Sequence, residues 1–244
     1  MKSCLVFLII LVAIIAGGTY VANRWNTQRI ARNLTSAAEK VVDYRVTIVE
    51  GKRREEIGRL LEGQGICGYS EFMAASSDKE GMLFPDTYRF FKNTPAERVV
   101  KTMTDTFTLR TAAISPTLTQ INLAAIVERE AQGDTDRALI AGIYTNRLTQ
   151  GVTLDADPTV QYAKDSILTP TTYWGPITQA DYSTIISSYN TYLHEGLPPT
   201  PIANPGLPSL QAAVHPTKNP YLYFLHKNGT LIPARTLAEQ QSHE

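Results

Sequence analysis

The chain has 244 residues, enough for one domain of ordinary size or a small domain beside a larger one. Its 23 basic and 23 acidic residues cancel, which excludes the basic footprint of a nucleic-acid binder. Two distant cysteines, Cys4 and Cys67, exclude a disulfide framework, and normal apolar content excludes a disordered chain despite 14 prolines and 15 glycines.

The run "MKSCLVFLIILVAIIAGGTYVAN" carries no charge between Lys2 and Arg24 and is long enough to cross a bilayer core as a helix. It is expected to be an uncleaved membrane anchor over residues 1–23. The rival is a signal peptide, with Leu5 to Ile15 as its apolar part and a cut near Ala16-Gly17-Gly18. Either exported form places the rest outside the cytoplasmic membrane. Residues 24–42 are polar and read as a juxtamembrane helix or linker.

"YRVTIVEG" (44–51) is β-rich and is expected to stop at Gly51. "KRREEIGRLLEG" predicts an amphipathic helix with Ile57, Leu60 and Leu61 on one side and Gly63 past its end. "MLFPDTYRFFK" predicts an extended segment with Pro85 near its start. Residues 43–92 thus read as a small β-α-(α)-β unit, too small for a large core of its own.

Residues 93–244 read as a larger, mixed second domain, so the fold class is α+β. "TPAERVVKTMTDTFTLR" predicts a helix with Thr94 as N-cap and Pro95 at its first position. "LTQINLAAIVEREAQG" predicts a second, stopped by Gly133. Asp134 is then expected to cap a third, which ends near Gly151. "YNTYLHEGLPPTPIANPGLPSLQAAVHP" is dense in Pro, Gly, Asn and Tyr. Such a loop lines a binding site or is an ordinary connection. "NPYLYFLHKNGTLIPA" predicts a hairpin turning at Asn228-Gly229.

Chemistry centres on "AAIVEREAQG" (124–133). Glu128 and Glu130 are two residues apart, so on a helix they point about 160° from each other. Glu130 is three residues from Val127, four from Ile126 and seven from Leu123, on the bulky apolar stripe. Glu128 lies on the other side, near Ile121, Ala124 and Ala125. A carboxylate packed inward has a raised pKa, which suits a general acid near neutral pH. The alternative is that Glu130 marks where the stripe surfaces at the helix end. The four histidines have no metal-ligand spacing, and no HExxH, GxSxG or P-loop is present, so no cofactor or metal is expected. His215, Asp86 and Asp157 lie beside prolines or one residue from them and read as turn residues.

"VEG" (49–51), "EGMLFPDTYRF" (80–90), "AAIVEREA" (124–131), "IYTNRL" (143–148), "DADPTVQYA" (155–163), "YNTYLHEGLPPTPIANPG" (189–206), "SLQAAVHP" (209–216) and "PYLYF" (220–224) follow one another in order. In this series the chain resembles the endolytic murein transglycosylases of the MltG (YceG-like) family. The resemblance implies a LysM-like small unit, a YceG-like catalytic domain and an N-terminal anchor in the cytoplasmic membrane. It implies peptidoglycan glycan strands as substrate, with peptidoglycan synthases as partners, and 1,6-anhydro ends formed without water.

The second Glu of the family's E-K-E-T motif falls on Glu130. Gln161, Tyr189, Asn190, Thr191, Tyr192 and Asn146 are expected to hold sugar rings and acetamido groups, and Arg147 either binds or packs. Residues 189–206 are expected to form a wall facing Glu130. Two departures stand out: Ala131 replaces the motif's Thr, and one β-α unit precedes "EGMLFPDTY" where longer members carry more LysM-like sequence. A non-cutting peptidoglycan-binding or synthase-scaffolding protein and a hydrolase remain as rivals.

Overall fold

The computed structural model describes residues 18–30, 43–133 and 135–243. Residues 18–30 form a helix, α1. Most of the apolar run expected to span a membrane lies outside the described residues, as does the expected cap Asp134. Among those described, no helix is long and apolar enough to cross a membrane.

Tyr44–Glu244 form one compact unit by themselves. The order is β1 (Asp43–Thr47), α2 (Arg54–Gly63), α3 (Tyr69–Ala75), β2 (Thr87–Phe91), α4 (Ala96–Thr111), α5 (Leu118–Glu130) and α6 (Arg137–Gln150). Then come α7 (Asp157–Leu168), α8 (Asp181–Thr184), α9 (Leu207–Val214), β3 (Tyr223–Lys227), β4 (Thr230–Ala234) and α10 (Leu237–Ser242). β1 pairs with β2 and β3 with β4, giving two small sheets in a mixed α+β fold.

Two apolar cores hold the unit. One joins Val46 and Ile48 with Ile57 and Leu61 of α2, Phe72 of α3 and Phe90 of β2. α4 closes it with Val99, Val100 and Met103, then turns Phe107 toward the second core. β1 ends at Thr47 instead of Gly51, because its continuation changes partners. The Ile48 N–H donates to Asp86 O, while Gly51 N–H donates to Asn204 O and Asn204 N–H to Lys52 O. Gly63 is the last residue of α2, and Gln64 caps it. At α4 the expected cap fails: the Thr94 hydroxyl is spent on Phe91 O, so Pro95 takes the cap position.

The second core is built around α5, which packs on α6, α7 and α9. Thr117 and Gln120 cap each other at its start. Every residue from Ile121 to Val127 is buried, so α5 is enclosed all round and is not a one-sided stripe. It ends at Glu130, before the expected stop Gly133, because Ala131 turns extended at φ −68° and ψ 132°.

α6 closes at Gly151 in the left-handed conformation, φ 65°. On its face a Cβ at Gly142 would stand 2.1 Å from Thr217 O, so only glycine lets the 215–222 loop lie this close. That loop leads into the β3–β4 hairpin, which turns at Asn228-Gly229 as expected, with φ 54° and 74°.

Candidate active site

Glu130 opens into a cleft of about 400 Å³. It is lined by Glu130 at the end of α5, by Tyr144 and Arg147 of α6, by Asp155, Asp157, Tyr182 and Tyr192, and by β3 from Tyr223 to His226.

The local sequence explains this placement. Glu130 is the last residue of α5, where the helix presents its negative end, so its charge gains nothing from the dipole. The Tyr144 hydroxyl donates to Glu130 Oε1 at 2.9 Å. Burial pushes the Glu130 carboxyl up to about 7, helped by the negative charge of Asp157; Tyr144 and Arg129 act the other way. A carboxylic acid titrating there holds its proton at neutral pH and releases it readily. The Tyr144 phenol is itself raised, chiefly by burial and then by the neighbouring Glu130 charge, so it stays a donor.

Glu128 points elsewhere. Its carboxylate accepts from Gly206 N–H at 2.9 Å and from the Arg137 guanidinium at 3.4 Å, tying α5 to the start of α9 and to α6. Asp86 also lies apart, accepting from Thr87 N–H and Arg110.

Among the residues expected to hold sugars, Tyr192 lines the cleft and donates its hydroxyl to Asp157 Oδ1 at 2.7 Å. Asn190 and Thr191 face inward as framework. Asn190 is fully buried and donates to Tyr182 O and Ile185 O. The Thr191 hydroxyl meets Thr159 and accepts from Ala156 N–H, which pins the loop to the start of α7.

Tyr189 bonds Thr200 and leans on Tyr162, with ring centres 4.9 Å apart. Gln161 donates to the carbonyls of Trp174 and Gly175. Asn146 donates to Asn219 O and Tyr221 O, both at 2.9 Å, and so carries the loop before β3. Arg147 is buried and committed to Thr153 O, Leu222 O and Asp155. Of the 189–206 segment, Tyr192 alone is among the cleft-lining residues. The rest is held by contacts such as Asn122 to Pro198 O and Asn204 to Glu80.

Sequence reasoning passed over Tyr144, Tyr182, Phe224, His226 and Gln240 as cleft residues and read Asp157 as a turn residue; all line the cleft. Tyr144 and Asp157 lie inside the quoted stretches "IYTNRL" and "DADPTVQYA", which was the available signal. His226 Nε2 stands 3.5 Å from Asp136. Among the described residues no group of three or more His, Cys, Asp or Glu side chains is placed to hold a metal ion.

A model of the YceG-like family matches residues 4–244. The chain is 38% identical to the endolytic murein transglycosylase of Bacillus subtilis (strain 168), over 66% of this chain and 45% of that protein. It is 30% identical to that of Streptococcus pneumoniae (strain D39), over 60% of this chain and 28% of the relative. The chain therefore spans less than half the length of these relatives. The crystal structure of a yceG-like protein from Listeria monocytogenes superposes with a TM-score of 0.72 at 28% identity, covering 90% of this chain and 81% of that one.

Proposed function

The chain belongs to the YceG-like family, and on that premise we propose that it is an endolytic peptidoglycan lytic transglycosylase. It cuts the MurNAc–GlcNAc bond within a glycan strand, leaves a 1,6-anhydro-MurNAc end and so terminates elongation of nascent strands. The observation that carries this reading is Glu130: one carboxyl raised to about 7, hydrogen-bonded to Tyr144, in a cleft with flat aromatic faces suited to sugar rings.

Protonated Glu130 donates to the glycosidic oxygen as the bond to the muramyl anomeric carbon breaks. The carboxylate so formed takes the proton of the C6 hydroxyl, whose oxygen closes the anhydro ring. One group acts as acid and then base, and the nucleophile belongs to the sugar. The Tyr144 bond occupies Oε1 and leaves Oε2 for the substrate.

The proposal extends to placement. The uncharged run from Ser3 to Asn23 supports a single N-terminal span, with the enzyme on the outer face of the cytoplasmic membrane near peptidoglycan synthases. The separate apolar core on β1, α2, α3 and β2 supports treating residues 43–92 as a LysM-like part beside a catalytic part at 93–244, with α4 packed across the division.

A hydrolase is favoured by one observation, the second carboxylate Asp157 in the same cleft. Digestion of purified sacculi followed by mass spectrometry decides between them. Anhydro ends support the transglycosylase, reducing ends the hydrolase, and the absence of products a non-cutting scaffold.

A further inference from the structure

Asp157 is the cleft group that a single-acid mechanism leaves unused. It is the first residue of α7, with Pro158 next, so its carboxylate stands where the open N–H groups and the dipole of a 12-residue helix favour negative charge. The Tyr192 hydroxyl fixes it at 2.7 Å. Tyr192 is in turn stacked on Tyr182, with ring centres 4.2 Å apart and planes 24° apart. Ala156, immediately before it, is pinned to the Thr191 hydroxyl. The position is therefore set by two consecutive residues of one loop, Thr191 and Tyr192.

Glu130, in the same cleft, has opposite surroundings. It sits at the negative end of α5 against the second core and takes a hydrogen bond from Tyr144. Two carboxyl groups placed in such different environments take different tasks, one as proton donor and the other as a fixed charge.

We propose that Asp157 is a second catalytic group, whose carboxylate faces the muramyl anomeric carbon and stabilises the positive charge that develops there as Glu130 protonates the departing oxygen. This assignment rests on the transglycosylase reading above. No bond forms to Asp157. The C1–O bond breaks with its electron pair going to oxygen, which takes the proton of Glu130. The C6 oxygen then bonds to C1, and its proton returns to Glu130. A fixed charge aimed at a developing opposite charge in an enclosed site is among the largest catalytic effects a protein supplies.

Asp157 also acts on Glu130 through space, in the direction that keeps the acid protonated. The other charged and titratable groups around Glu130 are Arg129 beside it, Tyr144 and Arg147 of α6, Asp155, Tyr182, Tyr192, Tyr223 and His226. Arg147 and Asp155 are paired with each other.

The test compares wild type, Asp157→Asn and Tyr192→Phe on purified glycan strands, with melting temperatures from the same preparations. Asp157→Asn is expected to lower turnover about 100-fold, still yield anhydro ends, and move the alkaline limb of the pH profile to lower pH. The limb reports only the through-space effect on Glu130; the loss of turnover below the limb reports the catalytic role. Tyr192→Phe keeps the carboxylate but removes its 2.7 Å partner, leaving the Tyr182 contact, and is expected to cost about 10-fold.

A folded Asp157→Asn protein with wild-type turnover below the limb overturns the inference, whether or not the limb moves. If that variant does not fold, Tyr192→Phe decides, and unchanged turnover there overturns it equally. A wild type that releases reducing ends is a hydrolase and removes the transglycosylase reading beneath. A wild type that cuts nothing removes it too, so the wild type tests the reading and the variants test the inference.

Discussion

Replacing Tyr144 by Phe tests the acid directly. The Tyr144 hydroxyl donates to Glu130 Oε1 at 2.9 Å and stabilises the ionised carboxylate, opposing the burial that pushes Glu130 up to about 7. A hydrogen bond to a charged group contributes about 1.5–3 kcal/mol net, or about 1–2 pH units. Cleft water replaces part of it, so a further rise of about 1 unit is expected. Phenylalanine keeps the ring and its edge-on contact with Phe224, whose centre is 5.9 Å away, so the fold should hold.

The sign follows from which form loses its partner. Loss of the donor penalises the carboxylate, the protonated form persists to higher pH, and the alkaline limb of kcat/KM moves from about 7 toward about 8. The assay is anhydro-end release from purified glycan strands between pH 5 and pH 9. A limb that stays in place, or moves to lower pH, in a variant that melts normally would refute the assignment of Glu130 as the acid.

Glu130→Gln is expected to raise stability at pH 8 by about 1–3 kcal/mol, since the folded carboxyl is raised from 4.5 to about 7 and its ionisation is costly there. The gain should vanish near pH 4, where Glu130 is protonated whether folded or unfolded; thermal melts across that range check it. Glu128→Gln weakens the acceptor for Gly206 N–H and Arg137, and should cost about 1–2 kcal/mol of stability while the folded protein cuts at nearly the normal rate. Asn190→Ala removes the hydrogen bonds that a fully buried side chain donates to Tyr182 O and Ile185 O. It should lower the melting temperature, by about 2–3 kcal/mol in stability, before it lowers turnover; an unchanged melt with turnover down ten-fold would return Asn190 to the substrate.

What was legible in the sequence was local or motif-borne. Asn228-Gly229 carries its turn in its own backbone preferences, and Gly151 its helix stop. Competing hydrogen bonds could not be read. Thr94 has a cap's side chain but gives it to Phe91 O, and α5 needs no glycine to end because Ala131 simply turns extended. Helical spacing pointed to Glu130, yet Ile121–Val127 is buried on every side, so the stripe did not separate the two glutamates. Tertiary partners did, with Gly206 and Arg137 for one and Tyr144 for the other. In "YNTY" an irregular loop has no period, so nothing in the sequence says that Tyr192 faces the cleft while Asn190 and Thr191 face the frame. Asp157 looked like a turn residue because proline follows it; that proline is the second residue of a helix whose first, Asp157, lines the cleft.

The central claim is cleavage by Glu130 with the sugar's own hydroxyl as nucleophile. Digestion of glycan strands in oxygen-18 water, with wild type and Glu130→Gln side by side, tests it most directly. The account predicts new muramyl ends from the wild type that carry no solvent oxygen and lack one water relative to reducing ends, and none from the variant. New ends that carry solvent oxygen, or ends released by the Glu130→Gln protein at the wild-type rate, would contradict it.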